Sequence, residues 1–432
     1  MKKILLCNCL VLLLFIVPGF GQESHVLKGE LEAKSSINIQ HRRGALRVLP
    51  ATGNTVSWEA RLTFESPDAA STQQLLDAYK ISENVSANEL NIDSQLKIKR
   101  YNIINGRSKI YLENGEVIKG IKKLKIDLTV YIPSTPNVKV SNKYQPITIE
   151  ADITDKLEIQ AYECEVTTKD IKGDLDMNSK YSKGQIGAAQ NIRIELYESK
   201  HDFGNAKEVE INAKYSTIKF QNLASLKGSS YENKIYGQTI SGELSLTEKY
   251  SDMEFKKIGS GKGVFYETDL KVEEVGDLEL QSKYSDYDFR TVGSLEFRSS
   301  YEDDVEVVNL EHLISPASKY TTYTITGSLA KSVEFGTSYE DKIRVGSVAS
   351  SFESFQVGEG KYTKVDCVLP KNLSYEMQVD NRYTKFDGSA FRLDYAKYNQ
   401  KGDQIQFTGT SKNSSGRVVS VEMKCYDCNL NL

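Results

Sequence analysis

The cysteines are the most reactive side chains of this 432-residue sequence, and two of the four that follow the first 21 residues are close neighbours. Cys425 and Cys428 form a Cys-x-x-Cys motif near the C-terminus, a pattern that serves as a disulfide, a redox-active dithiol or half of a zinc site. No second Cys-x-x-Cys and no nearby histidine completes a zinc site. We therefore interpret the pair as a candidate disulfide that staples the terminus, or as free thiols.

The histidines and carboxylates lack the spacing of a catalytic or metal site. The four histidines are His25, His41, His201 and His312. None makes a metal-ligand spacing with another histidine or with a cysteine. Acidic pairs such as Asp303-Asp304 and Glu273-Glu274 are typical of solvated turns in a chain with 26% charged residues. The common hydrolase, phosphate-binding and zinc-protease motifs do not occur. We expect no catalytic residue, no metal and no cofactor.

Tyrosine recurs every 16 to 19 residues from Tyr144 to Tyr339, and at slightly longer intervals from there to Tyr383. Two signatures alternate around it: Lys-Tyr, as in Lys249-Tyr250-Ser251, and Tyr-Glu, as in Tyr266-Glu267. Each signature returns after about 35 residues, and such a fixed period indicates a solenoid or array built from two unlike units. The marked tyrosines are Tyr144, Tyr162, Tyr181, Tyr197, Tyr215, Tyr231, Tyr250, Tyr266, Tyr284, Tyr301, Tyr320, Tyr339, Tyr362 and Tyr383.

Strands must position these tyrosines, because the residues before them alternate between apolar and polar. Examples are the series Leu278, Leu280, Ser282, Tyr284 and the series Leu295, Phe297, Ser299, Tyr301. A second short strand follows, and its apolar residues start one position later in Tyr-Glu units, which predicts an extra corner residue there. Two strands and two corners make a coil of about 17–18 residues, and coils stack roughly 4.8 Å apart. The predicted fold is all-β, a single-stranded β-solenoid.

The side on which the tyrosines lie decides whether they are structural or functional. Because they share parity with leucine and phenylalanine, we predict a tyrosine ladder along an interior corner, held by burial and aromatic stacking. The lysines and glutamates beside them would then point to the opposite face. The alternative is an exposed aromatic stripe that grips sugars.

The chain divides into four predicted segments. Residues 1–21 form an export signal, in which Lys2 and Lys3 precede an apolar run. Residues 22–140 form an N-terminal β-rich capping segment, with one short helix near 67–79 and Ser66 as its N-cap. Residues 141–392 carry the solenoid repeats, and residues 393–432 form a C-terminal β cap. No later stretch is apolar enough to span a membrane, so we expect no integral membrane segment after removal of the signal.

The charge balance disfavours a nucleic-acid partner. The formal net charge is −4, and loss of Lys2 and Lys3 with the signal makes it about −6. A protein that binds nucleic acid without a basic surface would be exceptional, because phosphate neutralisation supplies most of the affinity. The ligand we expect is instead a glycan or a protein, which the sequence does not identify further.

The chain resembles the exported bacterial proteins known as putative adhesins, which carry a β-strand repeat. The resemblance is carried by Leu128-Thr129-Val130-Tyr131-Ile132-Pro133, by the run from Val138 to Lys143-Tyr144, and by the Lys-Tyr units. Many relatives have Lys-Tyr-Gly where this chain usually has Ser or Thr as the third residue. The signal that ends before Gln22 and the Lys-Tyr units look like proteins of the Bacteroidetes. The resemblance covers nearly all of the mature chain and implies an exported strand-repeat protein.

These observations together predict a non-catalytic protein of the periplasm, the outer surface or the extracellular space. It would bind a surface ligand, or act as a scaffold, through a regular solenoid face. One alternative is a periplasmic structural or envelope-stress-linked factor, since uniform coils suit that role equally. Another is a polysaccharide-active β-helix enzyme, whose acidic and basic residues would gather in one irregular groove.

Overall fold

The computed structural model describes residues 22–104, 107–386, 391–411 and 417–432. The predicted export signal, residues 1–21, lies outside the described residues. The chain divides into two compact units, one that ends at Lys207 and one that begins at Glu208. Each unit is built from stacked β coils, and the coils have about 18 residues with about 13 turns in all. The predicted fold class, an all-β solenoid with one short helix, is confirmed.

The elements of the first unit are β1 (Glu23–Glu32), β2 (Ser36–His41), β3 (Leu46–Pro50), β4 (Thr55–Glu65), α1 (Ala69–Ala78), β5 (Tyr79–Val85), β6 (Glu89–Leu96), β7 (Ile98–Ile104), β8 (Arg107–Leu112), β9 (Val117–Lys119), β10 (Lys122–Ile132), β11 (Thr135–Lys143), β12 (Ile147–Ile149), β13 (Ile153–Tyr162), β14 (Glu165–Thr168), β15 (Asp174–Lys180), β16 (Lys183–Ile186), β17 (Asn191–Tyr197) and β18 (Lys200–Phe203).

The division falls within β19 (Ala206–Lys214). The second unit continues with β20 (Thr217–Tyr231), β21 (Lys234–Lys249), β22 (Asp252–Tyr266), β23 (Asp269–Lys283), β24 (Asp286–Tyr301), β25 (Asp304–Lys319), β26 (Thr322–Tyr339), β27 (Lys342–Val348), β28 (Ser354–Lys361), β29 (Lys364–Cys367), β30 (Ser374–Arg382), β31 (Asp394–Lys401), β32 (Gln404–Ser411), β33 (Val418–Tyr426) and β34 (Asn429–Asn431).

The N-cap of helix α1 lies two residues later than predicted. The carboxylate of Asp68 accepts a hydrogen bond from the backbone N–H of Ser71 at 2.7 Å and is the N-cap. The Ser66 N-cap prediction is wrong, because the Ser66 hydroxyl donates to the Asp68 carbonyl instead. Leu75 is the residue that the helix buries.

Antiparallel strands end the stack in the first unit. β1 pairs with β4 and β4 pairs with β10, both antiparallel, and β10 then joins the parallel stack through β3. On the other side β5 pairs antiparallel with β6, which joins the stack through β2. From there the pairing is parallel, from β11 through β13 and β15 to β17, and from β12 through β14 and β16 to β18.

In the second unit each strand from β20 to β26 follows most of a coil. In β23 the alternation of buried and exposed residues breaks where Glu273 and Glu274 are both exposed, and again at Gly276 and Asp277, so the strand bends there. Parallel register places apolar residues over one another, as Leu278 over Leu295, and both are buried. Stacking therefore creates the continuous core that a single coil cannot form alone.

The strand β33 near the C-terminus lies out of sequence order. β33 pairs in parallel with β28 on one side and with β30 on the other. The antiparallel strands β32 and β31 follow beyond β30 and end this part of the sheet. The C-terminal segment thus contributes a coil inside the stack, between two coils that precede it in the chain.

Candidate functional site

One sharp corner of each coil is formed by a residue with left-handed backbone. Its φ lies between 44° and 71°, a region that side-chain-bearing residues rarely adopt. In the first unit these residues are Tyr144, Glu163, Tyr181 and Glu198. In the second they are Tyr215, Glu232, Tyr250, Glu267, Tyr284, Glu302, Tyr320, Glu340, Tyr362, Tyr383 and Asp427. We call this set the corner column.

The two repeat signatures form the same corner with different residues. In Lys-Tyr units the tyrosine has the positive φ, whereas in Tyr-Glu units the glutamate has it and the tyrosine is the last residue of the strand. The pairing register confirms the equivalence, since Tyr266 faces Lys283 and Lys249. The predicted extra corner residue is therefore wrong: both corners have equal length, and the tyrosine lies one position earlier. The last strand residue before the corner is Lys in one unit type and Tyr in the other, and we call this position the strand-end column.

The tyrosines alternate between these two columns and form a zigzag ladder. Neighbouring rings lie edge to face, with centroids 5.3 to 5.9 Å apart in the second unit and 5.5 to 5.6 Å apart in the first. Such pairs are each worth about 0.5–1.5 kcal/mol beyond their burial. In the first unit the ladder consists of Tyr144, Tyr162, Tyr181 and Tyr197. In the second unit it consists of Tyr215, Tyr231, Tyr250, Tyr266, Tyr284, Tyr301, Tyr320, Tyr339, Tyr362, Tyr426 and Tyr383.

The ladder lies on the outside of the solenoid, so the predicted interior position is wrong. The corner-column tyrosines are 41% to 53% exposed. Tyr215 has the parity of buried Val209 and Ile211, but its positive φ turns the side chain outward. In the Tyr-Glu units the strand parity itself points the tyrosine outward, as at Tyr197 after buried Leu196. Before Tyr301 the pairing of β24 with β23 shifts register, so alternation counted along the sequence assigns this tyrosine to the wrong side.

The charged residues share the exposed corner with the tyrosines rather than the opposite face. Lysine alternates with tyrosine in the strand-end column, and glutamate alternates with tyrosine in the corner column. The ammonium groups of Lys143 and Lys319 lie 5.8 and 5.9 Å from the ring centroids of Tyr162 and Tyr339, within cation–π range. A hydrogen bond to Glu302 raises the pKa of Tyr301 to about 12, so this phenol keeps its proton at neutral pH. The corner is thus aromatic with balanced charge.

A buried polar side chain follows every corner residue from Cys164 on and supports the turn. In many coils the backbone N–H after the corner donates to the equivalent side chain of a neighbouring coil, for example Ser285 N to Asp303 Oδ1 at 2.9 Å and Thr321 N to Asp341 Oδ1 at 2.9 Å. We call these buried side chains the inner column. Because buried N–H groups without partners are costly, the inner column stabilises the corner by accepting hydrogen bonds from these N–H groups. Its members are Cys164, Ser182 and Ser199 in the first unit and Ser216, Asn233, Ser251, Thr268, Ser285, Asp303, Thr321, Asp341, Thr363, Thr384 and Cys428 in the second.

At the left-handed corner a glycine variant should be more stable than an alanine variant, which is the reverse of their usual order. We expect Tyr284→Gly to be more stable than Tyr284→Ala by about 1 kcal/mol, because only glycine adopts the positive φ without strain. At the neighbouring strand position, Lys283→Ala should be at least as stable as Lys283→Gly, since glycine weakens a strand. Urea unfolding of the four variants measures both differences. Alanine that equals or exceeds glycine at position 284 would contradict a strained corner.

The histidines make local structural contacts. His41 is buried between the Ser94 hydroxyl and the Ile126 carbonyl, and burial lowers its pKa to about 4. His201 is buried against the Ser179 hydroxyl at 2.8 Å, and burial lowers its pKa to about 4 as well. His25 stacks on Phe64, and His312 hydrogen-bonds Ser332.

The acidic pairs are split or solvated. Asp303 is buried in the inner column whereas Asp304 is exposed, so the two carboxylates face different environments. Glu273 and Glu274 are both exposed at a bend. Within the described residues no group of histidines, cysteines and carboxylates is arranged to hold a metal ion.

One exposed face of the second unit carries a column of aspartates. Asp252, Asp269, Asp286 and Asp304 lie in register on neighbouring strands and line a groove of about 480 Å³. Burial and the neighbouring aspartates raise the pKa of Asp269. Lys271 ion-pairs with Asp288 on the same face at 3.0 Å. This face is acidic, whereas the tyrosine corner is aromatic and charge-balanced.

Sequence reasoning missed Tyr426, which completes the ladder between Tyr362 and Tyr383. The available signal was Tyr426-Asp427, a Tyr-acid dipeptide after the alternating apolar residues of β33. Cys425 and Cys428 flank this dipeptide as buried free thiols. Their disulfide stays a prediction.

Comparison with known proteins gives no family assignment. No family model matches the chain, and no curated protein matches it. Among solved structures it is similar to a putative cell adhesion protein from Clostridium sporogenes ATCC 15579, with 9% identity, a TM-score of 0.24, and coverage of 55% of this chain and 99% of that one. It is also similar to a putative lipid binding protein from Parabacteroides distasonis ATCC 8503, with 13% identity, a TM-score of 0.18, and coverage of 66% and 96%. TM-scores this low carry no argument about function.

In the described residues no helix is both long enough and apolar enough to cross a membrane.

Proposed function

We propose that this is a non-catalytic, exported protein of the cell envelope that binds a linear carbohydrate along its tyrosine corner. The observation that carries the proposal is the ladder of half-exposed tyrosines, which runs without a gap from Tyr215 to Tyr383 in the second unit. The ring pairs stabilise the corner, yet the exposed faces and hydroxyl groups remain free to contact a ligand, and tyrosine is a common anchor of binding sites. The exported location rests on the predicted signal.

The chemistry of the corner suits a sugar polymer. Tyrosine rings offer apolar faces and edges for sugar C–H groups, while the phenol, lysine and glutamate groups beside them hydrogen-bond hydroxyls. The alternating lysine and glutamate columns keep the corner near neutrality, which disfavours a polyanion such as a nucleic acid. Corner-column tyrosines recur every second coil, on the order of 10 Å, so a polymer with a similar repeat would make the same contact many times.

The test is a binding screen with a variant that keeps the corner conformation. Soluble and insoluble glycans are offered to the mature protein and to Tyr250→Gly/Tyr284→Gly/Tyr320→Gly, in which glycine accepts the positive φ. We expect at least tenfold weaker binding in the triple variant, since each lost anchor costs 1 kcal/mol or more. The matched control is Lys257→Ala/Glu274→Ala, which removes an exposed ion pair on another part of the surface.

Two outcomes contradict the proposal in different ways. Unchanged binding by the triple variant would move the site away from the tyrosine corner. Failure of the wild-type protein to bind any glycan would remove carbohydrate as the ligand. Circular dichroism of each variant shows that a loss of binding is not a loss of fold.

The cellular location is tested separately by protease treatment of intact cells, with a periplasmic protein as control. Cleavage of the chain while the periplasmic marker survives would support a role at the outer surface. Protection until the outer membrane is broken would instead favour the periplasmic structural role.

A further inference from the structure

The C-terminal strand occupies a slot that the rest of the chain leaves open. β33 pairs along its length with β28 and with β30, and β34 pairs with β29. Val419, Val421 and Met423 are fully buried there. Without this segment two parallel strand edges would face each other unpaired, which is costly for backbone groups.

The repeat pattern marks the same slot in the sequence. Lys-Tyr and Tyr-Glu corners alternate, but no Tyr-Glu corner lies between Lys361-Tyr362 and Arg382-Tyr383 along the chain. The dipeptide Tyr375-Glu376 in this interval forms no corner, because Tyr375 is buried in β30 and Glu376 lacks a positive φ. Tyr426-Asp427 fills this gap in space: Asp427 has a φ of 52°, as the corner glutamates do. The Tyr426 ring lies 5.9 Å from Tyr362 and 5.4 Å from Tyr383. The alternation is therefore complete in the structure although it is broken along the chain.

The two cysteines of the segment lie on either side of this corner. Cys425 and Cys428 are 4% and 7% exposed, and both sulfurs lie against Gly360. Their backbone N–H groups donate to Asn381 Oδ1 at 3.1 Å and to Thr384 Oγ1 at 2.9 Å, both on the coil that contains β30. The sulfurs thus meet inside the slot.

The facing coil leaves room for both sulfurs. The residue paired with Cys425 on β28 is Gly360, whereas Ser338 occupies that position one coil further. A Cβ atom on Gly360 would lie only 2.9 Å from the Cys425 sulfur and 3.2 Å from the Cys428 sulfur. Glycine at this position therefore admits two large sulfur atoms where neighbouring coils carry a side chain.

We propose that Cys425 and Cys428 form a reversible disulfide that locks the C-terminal strand into the slot between β28 and β30. The oxidant is a disulfide of low molecular mass or of a thiol-oxidising protein. One cysteine, as the thiolate, attacks the oxidant and releases one thiol; the second cysteine attacks the mixed disulfide and releases the other. The protein loses two protons and two electrons and gains one Sγ–Sγ bond, while the oxidant becomes two thiols.

The bond acts on the corner rather than on the whole chain. It closes a loop of four residues around Asp427 and holds the left-handed turn when the strand is out of its slot. The entropic cost of docking β33 into its slot is then lower. The population of molecules in which β33 is detached should fall roughly tenfold. Cys164 and Cys367 lie elsewhere, and burial raises the pKa of both, to about 12 for Cys367, so they should remain thiols.

The test compares the mature protein in reduced and oxidised glutathione buffers. Intact mass should fall by two hydrogen atoms on oxidation, and peptide mapping should place the bond at Cys425 and Cys428. Hydrogen exchange at Val421 and Met423 should be roughly tenfold slower in the oxidised protein. In Cys425→Ser/Cys428→Ser the exchange should match that of the reduced protein in both buffers.

Gly360→Ala provides an independent variant, because its methyl group competes with the sulfurs for space. It should shift the equilibrium towards the dithiol in the same buffer. Glutathione adducts on single cysteines, or a bridge that leaves exchange of β33 unchanged, would overturn the proposal. So would two free thiols in every glutathione buffer.

Discussion

Replacing Glu248 with glutamine should remove a large, pH-dependent destabilisation. Glu248 is fully buried; one carboxylate oxygen accepts a hydrogen bond from the Ser230 hydroxyl, and the other has no partner. Burial raises its pKa from 4.5 to about 7. A carboxyl group whose pKa is higher in the folded state than in the unfolded state stabilises the fold fully at pH values below the unfolded-state pKa. That stabilisation is lost as pH rises through 7. Between pH 4 and pH 8 the loss should be about 3 kcal/mol.

Urea unfolding of the wild-type protein and Glu248→Gln, from pH 4 to pH 8, measures the effect. Glutamine keeps the shape and does not ionise, so its advantage over the wild type should appear as pH rises. His41 and His201, whose pKa values are lowered to about 4, destabilise both proteins equally at low pH and cancel in the difference. A difference between the two proteins that does not change with pH would contradict a buried, strained carboxyl at position 248.

Asp303→Ala should be the most damaging change in the inner column, at about 3 kcal/mol. The Asp303 carboxylate accepts from the Ser282 hydroxyl at 2.8 Å, from Ser285 N at 2.9 Å and from Tyr301 N at 3.1 Å. Alanine would leave these buried or half-buried donors without their acceptor, and unsatisfied donors cost more than a bond itself contributes. Burial raises the pKa of Asp303 to about 6, so the group is ionised at pH 8, and its ionisation offsets part of the stability that these hydrogen bonds contribute.

Two further variants separate the acceptor role from simple packing. Asp303→Asn keeps one acceptor oxygen and should lose less than half as much stability as the alanine variant. Thr268→Ala, at the equivalent position two coils away, removes a hydroxyl that donates to the Tyr266 carbonyl at 3.2 Å and should cost about 1 kcal/mol. Equal destabilisation by Asp303→Ala and Thr268→Ala, measured by urea unfolding at pH 8, would show that the carboxylate has no special role.

The solenoid itself could be predicted because its signals are local and repeated. The 35-residue double period gave the coil length, and alternation such as Leu278, Leu280, Ser282 gave the inward face. The helix was also visible, although its N-cap is Asp68 rather than Ser66. Each of these features depends on residues that are adjacent in the sequence.

The side on which the tyrosines lie could not be obtained from parity alone. A single left-handed residue reverses the direction of the side chain, and nothing in the composition of Lys-Tyr-Ser marks its tyrosine as having a positive φ. A comparison of the two signatures contained the answer. The position of the second strand relative to Tyr250 and Tyr266 differs by one residue because the tyrosine moves, while the corner does not.

The place of β33 could not be predicted for a different reason. It depends on a contact between residues more than forty positions apart, as Asn381 with Cys425. Its amphipathic pattern predicts a strand but does not select a partner. The gap after Tyr362 is hidden in the sequence by Tyr375-Glu376, which has the Tyr-Glu signature but lies in β30 with its tyrosine buried.

The alternation of the two corner types has a consequence for how this chain can lengthen or shorten in evolution. Removal of one Tyr-Glu coil would bring two lysines together in the strand-end column and two tyrosines together in the corner column. Removal of one Lys-Tyr coil would bring together two tyrosines and two glutamates, so either loss breaks the alternation. Gain or loss of two coils keeps both columns intact. Duplications and deletions that survive should therefore come in multiples of about 35 residues, and natural length variants should differ by even numbers of coils.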